Sequence, residues 1–83
     1  MTDTEKSAKI NEMIESCCFS WNGHMKEALK NRMNLIVETG TDEESYMFVN
    51  ESIAIISFMH EARFLSAFTA DKLENLCLDL YYE

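Results

Sequence analysis

The chain has no proline and only two glycines, Gly23 and Gly40. Folds made of many short strands draw on those residues for their turns, so the scarcity disfavours sandwiches and barrels and points to helices. Bases are scarce too: seven Lys and Arg stand against fifteen Asp and Glu, for a net charge of −8. Binding nucleic acid requires Lys and Arg to displace counterions, and docking on anionic lipid requires the same residues. Neither is expected. No apolar run approaches the ~20 residues a bilayer span needs, because Asn50, Glu51 and Ser52 interrupt the longest one. The opening MTDTEKSAKI lacks an apolar signal region, which makes the cytosol the expected compartment.

Cysteine is limited to Cys17, Cys18 and Cys77. The count is odd and two of the three are adjacent, so no disulfide framework is expected, only reduced thiols in a core. The same residues with His24 and His60 are suitable zinc ligands, but the paired spacing of a structural site is missing. His60-Glu61 begins like the zinc-protease HExxH, yet position 64 is Phe, and Ser57 stands where a di-iron Glu-x-x-His motif needs Glu. The acids at 42–44 lack the alternating ligands and central Gly of a calcium loop. Asn50-Glu51-Ser52 forms a glycosylation sequon, which carries no weight in a cytosolic reading. Cys17 and Cys18 fall late in a helix and Cys77 mid-helix, where nothing lowers a thiol for nucleophilic attack. No catalytic residue, metal or cofactor is assigned, and an enzyme is not expected.

What is present is a core-forming composition, 47% hydrophobic with nine aromatics. It suits one domain spanning 1–83, of a size that buries roughly 60–65% of its unfolded surface. The centre of the pattern is 41–68. Gly40 can take positive φ and end one helix, while Thr41 with Glu44 forms a capping box that opens the next. Asp42, Glu43 and Glu44 fall in the first turn, where the helix dipole favours anions. Between 53 and 59 only Ser57 is polar, which predicts a helix enclosed on nearly all sides by its own fold or by a partner.

Around this segment the i, i+3, i+4 periodicity predicts three more helices. Ile10, Met13, Ile14, Cys17, Cys18 and Trp21 share one face of a helix over 3–21, opened by Thr2 with Glu5 and stopped by Asn22-Gly23. Met25, Ala28, Leu29, Met33 and Ile36 mark a second over 24–39. After a break near Thr69–Ala70, Asp71 with Glu74 caps a last helix over 72–82, with Leu73, Leu76, Cys77, Leu80 and Tyr81 inward. The expected fold is all-α, a small antiparallel bundle of four helices at 3–21, 24–39, 42–68 and 72–82. The competing reading is α+β, with β-branched and aromatic segments 34–39 and 45–50 paired as a hairpin.

The charge is uneven. Residues 1–32 are neutral overall, while 33–83 hold ten acids against Arg63 and Lys72. Such a field steers towards a basic protein surface. Off-stripe apolar residues (Phe19, Leu35, Val37, Leu78, Tyr82) and five internal methionines supply contact surface beyond the core. The expected function is therefore a small acidic regulator or inhibitor that covers a basic, often nucleic-acid-facing, surface of a partner protein. Antitoxins, immunity proteins and phage-encoded inhibitors share this build. Asp42, Glu43, Glu44 and Glu51 would steer, with Glu74 and Asp79 as a second acidic group. Tyr46, Phe48, Tyr81 and Tyr82 would anchor, since aromatics dominate interface energetics. The alternative is a self-associating structural or chaperone-like subunit, a homodimer through 53–59.

Overall fold

The computed structural model describes residues 2–17 and 23–83. Four helices follow one another: α1 (Asp3–Ser16), α2 (Gly23–Glu38), α3 (Asp42–Glu61) and α4 (Ala67–Tyr82), with no strand among the described residues. The all-α bundle is the fold, and the hairpin is not. Segments 34–38 and 45–50 are helical. Two bonds fix this: Thr41 accepts from the Glu44 amide at 3.2 Å, and the buried Ser45 hydroxyl donates to the Ile36 carbonyl at 2.8 Å. The first starts α3, and the second ties its first turns to the end of α2. Only the Thr41 half of the expected capping box forms.

The helices run up and down. Ser7 meets Asn34 and Glu15 meets Lys26 between α1 and α2, Arg32 meets Glu51 between α2 and α3, and Ser57 meets Glu74 between α3 and α4. Lys6 near the start of α1 donates to the Leu80 carbonyl near the end of α4 at 3.0 Å, where a cation complements the helix dipole. The apolar stripes converge on one core. Ile10 and Ile14, then Leu29 and Met33, then Ile56 and Met59, then Leu73 and Cys77 are all fully buried. Each large aliphatic side chain so buried contributes ~1.5–3 kcal/mol before chain entropy is subtracted. Sequence periodicity located those of α1, α2 and α4, whereas the unbroken apolar run of α3 did not single out Ile56 and Met59.

Three boundaries differ from expectation by more than one residue. Helix α1 ends at Ser16, and Cys17 is extended with φ −70° and ψ 120°. The Ser16 hydroxyl bonds the Met13 carbonyl at 3.0 Å, giving that carbonyl a side-chain partner as the helix finishes. The readings placed on Cys18, Phe19, Trp21 and Asn22 lie outside the described residues. At the other end, α3 stops at Glu61 instead of continuing to 68, and α4 begins at Ala67 instead of 72. The break lies at 62–66. Ser66 is the cap, accepting from the Thr69 amide at 3.2 Å, which leaves Asp71 inside the helix.

The stop of α3 is a left-handed turn without glycine. Arg63 has φ +66°. Its amide bonds the His60 carbonyl at 3.0 Å and the Phe64 amide bonds the Met59 carbonyl at 2.8 Å, the paired bonds of a Schellman closure. Phe64 and Met59, which close the outer ring, both join the core. Gly40 does not take the positive φ expected of it; neither glycine does. Two substitutions should therefore stabilise the protein in urea denaturation. Arg63→Gly removes a left-handed Cβ conflict, and Gly40→Ala, whose added carbon meets nothing within 4 Å, restricts the unfolded chain. Each should raise the unfolding free energy by ~0.4–1 kcal/mol.

Candidate protein-binding surface

Because α3 and α4 are antiparallel, the start of one lies beside the end of the other. There Tyr46 and Tyr81 meet edge to face, centroids 5.3 Å apart, and Tyr81 meets Tyr82 at 4.9 Å in the same manner. Tyr81 packs against the core and holds the group in place, while Tyr46 and Tyr82 are 45% and 73% exposed. The helix dipole stabilises the exposed carboxylates of Asp42, Glu43 and Glu44 one turn before Tyr46. Asp79 lies three residues before Tyr82, on the same flank of α4, and Glu83 follows it. This end of the bundle thus combines a cluster of three tyrosines, in edge-to-face contact, with neighbouring carboxylates.

The other proposed contacts are dispersed. Phe48 is half-buried against the core. Glu51 faces α2 and pairs with Arg32 at 3.7 Å. Glu74 accepts from Ser57 at 3.2 Å, far along the α3–α4 seam from the tyrosines. Asp79 and Glu74 face different neighbours: Asp79 borders a groove of about 430 Å³ between α1 and α4 with Lys9 and Lys72, and Glu74 borders the α3–α4 turn. They do not form one acidic group.

Two exposed apolar features escaped sequence reasoning. Phe68 is 70% exposed, with the Lys72 ammonium 4.9 Å from its ring centre. Helix α3 is not enclosed on all sides: Ile56 and Met59 are fully buried, but Ala54 is exposed and Phe58 is 62% exposed. The available signal was the spacing 47, 54, 58, which places Met47, Ala54 and Phe58 opposite the core face. A continuous apolar run hides that distinction.

The chemistry of the remaining polar groups is quiet. Ser57, His60, Asp71 and Glu74 line one hollow. Yet the Ser57 hydroxyl donates to Glu74, and the Nδ1 of His60 lies 3.1 Å from the Leu65 carbonyl in the connecting turn. The Nδ1 edge of the imidazole is therefore turned to the backbone. Among the described residues, no three His, Cys, Asp or Glu side chains are placed to hold a metal ion. Glu15 is held below the ordinary carboxylate range by its hydrogen bond from Lys26, with Lys30 assisting. No described helix is long and apolar enough to cross a membrane.

Burial pushes the Cys77 thiol from its ordinary 9.0 up to about 12, with Glu74 adding to the rise and the Ser52 hydroxyl opposing it. A raised thiol pKa means that the folded state holds a proton the unfolded state releases. The stability this confers is complete below about 9 and is lost as pH climbs towards about 12. Unfolding free energy should fall over that window more steeply in the wild type than in Cys77→Ala, by up to ~1.4 kcal/mol per pH unit. Parallel slopes in the two proteins would show that Cys77 does not titrate there.

Compared with protein-family models, curated proteins and solved structures, the chain matches none.

Proposed function

We propose that this protein is a binding protein, a small acidic regulator or inhibitor that covers a basic surface of a partner protein. The observation that carries the reading is the Tyr46–Tyr81–Tyr82 group bordered by Asp42, Glu43, Glu44 and Asp79. Exposed tyrosines fixed by their neighbours lose little side-chain entropy on binding, which is what an anchor requires. Carboxylates around them accelerate encounter with a basic surface and oppose like-charged partners. Surfaces that hold nucleic acid are basic in this way, and antitoxins, immunity proteins and phage-encoded inhibitors provide the functional analogy. Phe48 and Glu51 belong to the reading only as supports, given the core packing of one and the Arg32 pairing of the other.

The test compares wild type with Asp42→Lys/Glu43→Lys/Glu44→Lys, and with the Asn/Gln/Gln variant, which is gentler on the helix start. A partner is captured from lysate of the source cell at low and high salt, then its association is followed by surface plasmon resonance. Charge reversal should slow association roughly tenfold or more and flatten its salt dependence, with the neutral variant between. Identical rates in all three would remove the steering role.

A second reading, self-association through 53–59, draws on the outward Ala54 and Phe58. It predicts a dimer at micromolar concentration in sedimentation equilibrium. A monomer there would discard it.

A further inference from the structure

The outer side of the α2–α3 pair carries an apolar groove of about 390 Å³, lined by Met25, Ala28, Ala54, Ile55, Phe58 and Met59. Met59 forms its buried floor, and Phe58 stands up from its wall. Along α3 the groove spans Ala54 to Met59, ~7.5 Å at 1.5 Å per residue, and α2 adds Met25 and Ala28. Met47, 49% exposed, lies beyond it, separated by Asn50 and Glu51. Apolar surface gathered in one groove marks an interaction site more than scattered exposure does.

Charge selects the occupant. Two outward residues of the groove have a glutamate three positions away on α3: Glu51 beside Ala54, and Glu61 beside Phe58. On α2, Glu27 adjoins Ala28 and is exposed. The lysines of α2 are held on the far side, where Lys26 and Lys30 meet Glu15 at 2.8 and 3.6 Å. Arg32 is engaged by Glu51 at 3.7 Å. A second copy of the chain would bring the same glutamates and a further net charge of −8 against this rim, which like-charge repulsion opposes.

We propose that this face receives an amphipathic helix of a partner protein, with an apolar ridge in the groove and Lys or Arg along both flanks. The groove lies between two antiparallel helices, and the described residues offer no sheet edge for an extended peptide to join. Such a groove suits helix-in-groove docking, read through apolar anchors at i, i+3 or i+4, and i+7. The face is distinct from the tyrosine end, and the inference does not rest on that reading.

The probe is a synthetic helical peptide of about 16 residues, ~24 Å long, with Leu at those spacings and Lys on the flanks. Its controls are a scrambled peptide of equal composition and one with Glu in place of Lys. Fluorescence anisotropy should show the Leu/Lys peptide binding at least tenfold tighter than either control. Ala54→Lys and Phe58→Ser, both at exposed positions and checked for helicity by circular dichroism, should each weaken it at least tenfold. Tyr46→Ala/Tyr82→Ala should leave it unchanged. Equal binding of the scrambled peptide, or indifference to Ala54→Lys, would overturn the proposal. Loss of peptide binding in the tyrosine variant would move the peptide to the other surface and overturn it as well. A wild-type dimer that Ala54→Lys splits would give the face to a second copy, which also defeats the proposal.

Discussion

The structure depends on where the chain reverses between α3 and α4. Arg63 takes a left-handed conformation, and the paired bonds of the Arg63 and Phe64 amides close α3 behind it. Phe64 and Leu65 then turn into the core, and Ser66 opens α4. The hydrophobic seating of Phe64 and Leu65 holds an unfavourable dihedral in place. Reversal here sets the register of α4 against α3, and hence which residues meet at the opposite end. Tyr46 touches Tyr81 because of a turn that lies far from both along the chain.

A second constraint is size. A chain this short has more apolar residues than one small core can enclose, so some faces stay bare. The core takes one residue or two per turn from each helix. What remains outside is not scattered evenly. Apart from Phe68 at the start of α4, much of it gathers at the tyrosine end and along the outer α2–α3 face, both bordered by carboxylates. Acidic rims keep such faces hydrated, and they also dictate the charge of whatever covers them.

The polar interior is spare by comparison. Ser45 is satisfied by the Ile36 carbonyl, and the Cys77 thiol is kept protonated by burial. Four of the five bases of the first half are engaged locally: Lys6 on a helix end, Lys26 and Lys30 on Glu15, Arg32 on Glu51. The acids of the second half have few such partners, and this imbalance, more than any single residue, gives the molecule its character.

Helical class and most of the core are legible in the order of residues alone. Helical periodicity of apolar residues is a local property, and it picks out Ile10, Ile14, Leu29, Met33, Leu73, Leu76, Cys77 and Leu80 without knowledge of neighbours. Local chemistry likewise places Thr2 and Thr41 as caps. Of the candidate surface, the acids and tyrosines are legible as residues but not as a group. Folding is what brings Tyr46 to Tyr81, parts Glu74 from Asp79 and turns Phe58 outward, because each depends on how helices face one another. The α3–α4 break also needs the fold. No glycine or proline marks it, since its left-handed residue is an arginine held there by packing that the chain acquires only once its helices have met.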